Sequence, residues 1–253
     1  MKTITIINQK GGVGKSTTAL SVGAGLVLRG YSVLLVELDP QRNMSTTILG
    51  SSEGLTARDV LLNPDCVLDA IRHTNNGDII CADPGLVHAD TEFTSVDRIY
   101  HLKDAIDRKE ITSRYDFCII DTPPSLGILT INAMVACSGV IIPAQPDAYS
   151  MQGISQLMAP LNEVRKRANP DLEIIGILFT RFDGRTRLAR DVSEVVSETA
   201  KKLNTKLFLA KIRECTMLKE SQGHQKTIFE YAPKSNAAKD YGALVDEITQ
   251  EEG

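Results

Sequence analysis

The chain has 253 residues, of which 42% are hydrophobic, and its 28 Lys and Arg against 32 Asp and Glu give a formal net charge of −4. This composition suits a soluble globular protein with a sizeable core, and it excludes a protein that is basic over its whole surface. Trp is absent and aromatic residues make up 5%, which argues against aromatic platforms for single-stranded nucleic acid.

Apolar runs rich in β-branched residues alternate with helical patterns along the chain. The predicted strands are Thr3–Ile7, Ser32–Leu38, Asp78–Ala82, Tyr115–Ile120, Gly139–Pro143, Glu173–Thr180 and Lys206–Ala210. The predicted helices are Ser16–Arg29, Ser95–Lys109, Leu126–Ala136, Met151–Ala168, Arg187–Leu203 and a closing helix from about Asn236. Such alternation predicts an α/β fold, with a mostly parallel twisted sheet covered by helices on both faces. No repeat or linker interrupts it, so we expect one domain over residues 1–253.

Neither the cysteines nor the apolar runs indicate a secreted, zinc-binding or membrane-bound protein. The five cysteines are odd in number and contain no CxxC pair, which argues against a disulfide framework and against a zinc site. The first apolar run, residues 4–7, is too short for a signal-peptide core, and the acidic C-terminus lacks a basic amphipathic stripe. We therefore expect a cytoplasmic protein without a membrane partner.

The strongest functional signal lies between the first predicted strand and the first predicted helix, in the glycine-rich segment Lys10–Thr17. Its glycines allow the backbone to curl until successive N–H groups point inward at a phosphate, and the following helix adds its own free N–H groups. Lys15 would reach the β- and γ-phosphates, the Ser16 hydroxyl would bind Mg²⁺, and Thr17 would reach the α-phosphate. The segment predicts a P-loop NTPase site made of Gly11, Gly12, Val13, Gly14, Lys15, Ser16 and Thr17.

The segment departs from the strict pattern G-x-x-x-x-G-K-[ST], since its first glycine would fall on Gln9. An added lysine, Lys10, stands beside it instead. Lys15 already neutralises the phosphates within one subunit, so Lys10 is best explained if it reaches a nucleotide held by a second copy. The alternative interpretation is a glycine turn with solvated lysines.

Two carboxylates complete the predicted site. Asp121 ends the apolar strand Phe117–Asp121, the Walker B arrangement, in which the carboxylate holds Mg²⁺ directly or through a water. Asp39 ends the second strand, where it could orient the attacking water. A carboxylate at that place could instead be a helix N-cap.

These motifs resemble the ParA/Soj family of partitioning ATPases, within the deviant Walker A class of P-loop proteins, over nearly the whole chain. Residues 10–17 look like K-G-G-x-G-K-[ST]-T, residues 37–43 like D-x-D-P-Q-x-N, and residues 121–125 like D-x-P-P-S. Residues 143–153 and 228–235 also look like family segments. The sequence departs from the family at Glu37, where Asp is usual, and at Met217, near which related proteins often carry an arginine.

The resemblance implies an ATP- and Mg²⁺-dependent cycle. ATP would drive a sandwich homodimer in which Lys10 contacts the partner's nucleotide, and the dimer would bind double-stranded DNA without sequence preference. A ParB-like centromere-binding protein would then stimulate slow hydrolysis, in a cytoplasmic, nucleoid-associated setting. Lys15, Asp39 and Asp121 carry over as phosphate clamp, water-orienting acid and Mg²⁺ ligand, and Arg213 and Pro233 would approach adenine.

A basic segment from Arg181 to Lys226 is the candidate DNA face. It holds 11 basic and 6 acidic residues, a net charge of +5, which leaves −9 for the rest of the chain. Such asymmetry favours a surface for phosphate backbones. A solvated helix with local ion pairs such as Arg187–Asp191 explains the charge equally well. The predicted DNA contacts are Arg185, Arg187, Arg190 and Lys219.

Two other functions remain open at this point. One is a metabolic ATP-dependent enzyme on the same phosphate loop, and the other is a MinD-like positioning ATPase. The first strand begins at Thr3, so we expect no N-terminal helix-turn-helix domain and no operator-specific DNA binding.

Overall fold

The computed structural model describes residues 1–50, 53–147 and 149–250. Their strands are β1 Lys2–Ile6, β2 Val33–Glu37, β3 Ile71–Arg72, β4 Asp78–Ile80, β5 Phe117–Asp121, β6 Gly139–Ala144, β7 Glu173–Phe182 and β8 Leu207–Arg213. They form one sheet in the order β3-β4-β2-β5-β1-β6-β7-β8. Every neighbouring pair is parallel except β3 with β4. The predicted mostly parallel sheet is confirmed, whereas the two-residue strand β3 was not predicted.

Helices connect the strands. The α-helices are α1 Lys15–Val27, α2 Asn43–Ile48, α3 Ala57–Leu62, α4 Val67–Ala70, α5 Ala89–Glu92, α6 His101–Ile106, α7 Lys109–Thr112, α8 Ile128–Ala136, α9 Ser150–Arg167, α10 Arg187–Lys202, α11 Thr216–Gly223, α12 Ile228–Tyr231 and α13 Asn236–Gln250. Short 3₁₀ helices occupy Pro64–Cys66, Pro84–His88 and Val96–Tyr100. Among the described residues, no helix combines the length and the apolar character needed to cross a membrane.

The helix predicted over residues 95–109 is wrong as a single element. A 3₁₀ turn opens this segment, α6 follows, and Arg108 then has an extended backbone (φ −58°, ψ 141°) before α7 begins. The side chains of Arg98 and His101 bind the carbonyl oxygen of Leu61 at 3.1 and 2.7 Å. We infer that these tertiary contacts to the end of α3 override the helical periodicity of the segment.

Helices cover both faces of the sheet. Successive residues of β5 alternate between them, since Ile119 belongs to the core under α1 and α13 whereas Ile120 belongs to the core under α6 and α8. A third cluster lies under α9 and α10 and includes Ile142 of β6. Because helices bury the parallel strands on both faces, the sequences of these strands are unbroken apolar runs and do not alternate between apolar and polar residues.

Strand β8 lies at one edge of the sheet, and two acidic side chains of α13 bind its backbone. The Glu247 carboxylate accepts hydrogen bonds from the backbone N–H groups of Leu209 at 3.0 Å and Ala210 at 2.5 Å. Asp240, seven residues earlier in α13, accepts the backbone N–H of Arg213 at 3.0 Å. Three backbone donors of this edge strand are therefore occupied.

Candidate nucleotide-binding site

The strand register brings the predicted site residues to one edge of the sheet. Strand β5 lies between β1 and β2, and its last residue, Asp121, is opposite both Ile6 and Glu37. The glycine-rich segment follows β1 and Asp39 follows β2. All three groups therefore meet at the carboxyl ends of the strands, where open parallel sheets bind ligands.

The phosphate loop, residues 10–17, has a backbone that glycine makes possible. Gly12 and Gly14 have φ angles of 75° and 86°, in the left-handed region that side chains disfavour. Side chains of the next strands hold the loop, since Gln145 Nε2 donates to the Gly12 carbonyl at 3.0 Å and Thr180 Oγ1 donates to the Val13 carbonyl at 2.9 Å. Both bonds use carbonyl oxygens, so they leave the N–H donors of residues 11–14 available for an anion, whereas the N–H of Lys10 donates to Asn8 Oδ1 at 2.9 Å.

Lys15, the first residue of α1, lies among buried acids. Burial lowers the pKa of Lys15, while Asp121 and Asp39 act in the opposite direction. Asp121 is completely buried. Burial raises its pKa well above the usual value, Glu37 raises it further, and Ser16 and Lys15 only partly offset this. The cluster thus contains more acidic than basic side chains in a poorly hydrated place.

The Asp121 carboxylate provides a test of whether the site fits Mg²⁺. Neither of its oxygens has a well-formed hydrogen bond to a described residue, although the Ser16 side chain faces it. Buried carboxylates are normally paired or bound to a metal. Mg²⁺ usually takes one or two carboxylates together with phosphate oxygens and waters. The described residues contain no cluster of three or more His, Cys, Asp or Glu side chains that could hold a metal ion by themselves. Ser16 and Asp121 therefore fit a magnesium ion that a bound phosphate helps to hold.

The two acids of residues 37–39 have different roles. Asp39 Oδ1 accepts the backbone N–H of Gln41 at 3.0 Å. The N-cap of α2 is Arg42, so Asp39 lies in the segment between β2 and α2 and does not cap the helix. Glu37 serves α2 instead, since its carboxylate accepts the N–H groups of Met44 at 2.6 Å and Ser45 at 3.0 Å. Burial raises the pKa of Glu37 against the effect of these bonds. The longer side chain at this position thus reaches the first turn of α2.

Lys10 has a partner that the sequence argument did not anticipate. Its ammonium group forms an ion pair with Asp147, which follows β6. The carboxylate of Asp147 also accepts the backbone N–H of Tyr149 at 3.0 Å. The net effect on Asp147 is a lowered pKa: burial opposes this shift, and the Lys10 hydrogen bond is the largest contribution in its favour. Lys10 is therefore held within its own chain and is not extended toward a second copy.

Two adjoining cavities flank the phosphate loop. The loop cavity has a volume of about 360 Å³ and includes Lys15 and Asp39 in its lining. The α11 cavity has a volume of about 200 Å³, and Ile212, Leu218 and Tyr241 give it an apolar wall. The residues that line both cavities are Gly14, Thr17, Arg181 and Gln222.

The structure brings only one of the two predicted adenine contacts to a cavity. Arg213 lines the α11 cavity, although its guanidinium group also pairs with Asp240. Pro233 follows α12 and lines neither cavity. Sequence reasoning missed Arg181, whose left-handed backbone (φ 50°) is unusual for a residue with a side chain, and Gln222. No sequence signal could have found them, because only the fold brings them to the loop.

The predicted DNA contacts lie in two places. Arg185, Arg187 and Arg190 are exposed at or just before the start of α10, whereas Lys219 is on α11 and lines the α11 cavity. Arg185 pairs with Asp183 through two hydrogen bonds of 2.9 Å. The ion pair between Arg187 Nε and Asp191, which the alternative of a solvated helix names, is present at 3.7 Å. DNA binding at these residues stays a prediction.

Comparison with known proteins identifies the family. Residues 1–174 match a family model described as an AAA domain. The chain is 40% identical to the sporulation initiation inhibitor protein Soj of Bacillus subtilis, over 98% of both chains, and 38% identical to the chromosome-partitioning ATPase Soj of Treponema pallidum, over 100% of this chain and 98% of that protein. A crystal structure of cobyrinic acid a,c-diamide synthase from Mycobacterium smegmatis with bound ADP and magnesium superposes with a TM-score of 0.84 at 30% identity, covering 100% of this chain and 96% of that one. Because the chain is 40% and 38% identical to these two Soj proteins over nearly its full length and carries the phosphate loop, it belongs to the Soj/ParA family of partitioning ATPases.

Proposed function

We propose that this chain is an ATP-dependent switch that dimerises on ATP, binds DNA without sequence preference and positions a replicon with a centromere-binding partner. The observation that carries the proposal is the buried Asp121 carboxylate, which lacks a hydrogen-bond partner among the described residues and lies beside Ser16 and Lys15 at the phosphate loop. That arrangement favours a ligand that brings Mg²⁺ and phosphates together. ATP is such a ligand.

In this proposal each residue of the site has one task. The N–H groups of residues 11–14 and the Lys15 ammonium bind the phosphates, and Ser16 and Asp121 hold the metal. A magnesium ion held there would offset the charge that develops on the phosphate during hydrolysis. Asp39, which lines the loop cavity together with Lys15, orients the attacking water.

The dimer depends on Lys10. In the proposed cycle, Lys10 exchanges its ion pair with Asp147 for the nucleotide of a second copy. Both partners of that pair are about one-third exposed, at 35% and 32%, so giving it up costs little. A lysine facing several phosphate oxygens in a drier interface gains more than it loses.

DNA binding rests on Arg185, Arg187, Arg190 and Lys219. A dimer doubles the basic area, so a weak affinity in the monomer becomes useful only after ATP has bound. A cognate ParB-like protein would then stimulate hydrolysis and release the dimer. Relatives named as chromosome-partitioning ATPases support this reading.

The experiment is sedimentation velocity without nucleotide, with ATP, and with ATP and random-sequence duplex DNA. We expect a monomer, a dimer and a salt-sensitive DNA complex, with log affinity falling by about 0.9 per phosphate neutralised as log salt rises. Replacing Arg187 and Arg190 with Gln should lower that slope. The matched control, replacement of the exposed Lys166 and Arg167 at the end of α9, should not change it.

The results separate the proposal from its competitors. A protein that binds no ATP refutes the nucleotide site, and an ATP dimer without DNA binding refutes the DNA-segregation role. Turnover that requires a small-molecule acceptor, with no response to DNA, would favour a metabolic enzyme such as the diamide synthase that the chain resembles in structure.

A further inference from the structure

A side chain of α11 contacts the phosphate loop directly. Gln222, in the last turn of α11, donates a hydrogen bond from Nε2 to Thr17 Oγ1 at 3.0 Å. The two residues are 205 positions apart in sequence, both are partly buried, and both line the two cavities beside the loop. Gln222 therefore belongs to the site without belonging to any phosphate-binding motif.

The direction of this hydrogen bond matters because a hydroxyl group has one hydrogen to donate. Thr17 Oγ1 accepts from Gln222. Its own hydrogen is then left for another acceptor, and phosphate oxygens are acceptors only. Gln222 thus holds Thr17 in the role of donor, which is the role that a contact with the α-phosphate requires.

The two ends of α11 have different surroundings. Near its C-terminal end, Ser221 is buried, its hydroxyl donates to the Leu218 carbonyl at 3.0 Å, and its carbonyl accepts the backbone N–H of Lys226 at 2.9 Å. Met217 and Lys219, closer to the start, are exposed. Gln222 therefore joins α1 to the buried part of a short helix that also carries Lys219, a predicted DNA contact one turn earlier.

We propose that Gln222 is a positioning residue that keeps the Thr17 hydroxyl directed at the nucleotide and thereby couples occupancy of the phosphate loop to α11. The inference rests on the proposed function in that the ligand is a nucleoside di- or triphosphate. Nucleotide binding fixes the Thr17 hydroxyl, and Thr17 in turn fixes the Gln222 side chain through their hydrogen bond. Because Gln222 belongs to α11, the helix and its residue Lys219 become more rigid. Nucleotide is thereby sensed by the helix that carries the predicted DNA contact Lys219.

The test uses an isosteric change. In Gln222→Glu the side chain becomes an acceptor, so the Thr17 hydrogen turns toward it and away from the phosphate. We expect the dissociation constants of ATP and ADP to rise at least about tenfold, which is the worth of one hydrogen bond to a charged group. The new carboxylate also repels the phosphates, so the loss of the donor alone is measured with Gln222→Leu. Gln225→Glu makes the same chemical change on an exposed residue three positions further on, outside both cavities, and should leave both constants unchanged.

Hydrogen exchange reports the coupling itself. In the wild-type chain, ADP should slow amide exchange in residues 10–17 and also in residues 216–223. In Gln222→Leu the first protection should remain and the second should be lost, which a general loss of stability would not produce. Thr17→Val should weaken binding about as much as Gln222→Leu, and the double variant should be no worse than either.

Failure of this inference is distinct from failure of the proposed function. If the wild-type chain binds neither ATP nor ADP, the proposed function is wrong. If it binds them, and Gln222→Glu behaves like Gln225→Glu or α11 stays protected in Gln222→Leu, only the coupling is wrong.

Discussion

Replacing Lys10 with Gln should separate a small effect on the monomer from a large effect on assembly. Within one chain Lys10 makes a partly exposed ion pair with Asp147, so its loss should cost at most about 1 kcal/mol of unfolding free energy. For a chain of this size that is a shift of about 2–4 °C in Tm. Across a dimer, an unpaired charge at a buried contact costs about 2 kcal/mol or more. A two-fold dimer has two such contacts, which gives about 4 kcal/mol and a dimer dissociation constant about 10³-fold weaker.

Sedimentation velocity with a non-hydrolysable ATP analogue measures this constant, and thermal unfolding measures the monomer. Asp147→Asn is the matched control. It breaks the same ion pair, yet its remaining amide oxygen can still accept the Tyr149 N–H, as Asp147 does at 3.0 Å. We expect this control to dimerise as well as the wild type or better, because Lys10 is released. Equal dimerisation of Lys10→Gln and wild type, or an equal loss in both variants, would refute the reasoning.

Three further predictions concern the site and the core. Asp39→Ala should still bind ATP but accumulate an ATP-bound dimer on size-exclusion chromatography, because no group orients the water; a variant that stays monomeric contradicts the assignment. Burial raises the pKa of Glu37 in the folded chain above its usual value of 4.5. Its contribution to the unfolding free energy is therefore fully present below pH 4.5 and is lost as the pH rises through the pKa of the folded state. Urea melts across pH should show this loss in the wild type and not in Glu37→Gln. In Gly176→Ala the new Cβ would lie 2.5 Å from the Phe208 ring, and urea melts should show a loss of about 1–3 kcal/mol, which Phe208→Leu should partly restore.

The sequence predicts the centre of this molecule well because local patterns determine it. Buried parallel strands need apolar β-branched runs, and a phosphate-binding turn needs glycines at left-handed positions, so β1, β5 and the phosphate loop can be identified without a structure. Asp121 and Asp39 follow from their places at strand ends. The comparisons confirm the family that these motifs indicated.

Contacts between distant segments could not be predicted. Lys10 and Asp147 are 137 positions apart, and Gln222 and Thr17 are 205 apart. Helices of four to eight residues, such as α2 and α11, are too short for a periodic pattern to identify them. The role of Glu37 was hidden for the same reason, because its partners belong to the undetected helix α2.

The two borders of the sheet restrict how copies of this chain can assemble. At one border Glu247 and Asp240 already occupy backbone donors of β8, and at the other β3 is two residues long. A neighbouring molecule therefore finds little free backbone on which to add a strand, and fibre-like growth through sheet extension is disfavoured. Removing the carboxylate of Glu247 should free the backbone donors of Leu209 and Ala210 and make the chain more prone to open-ended aggregation.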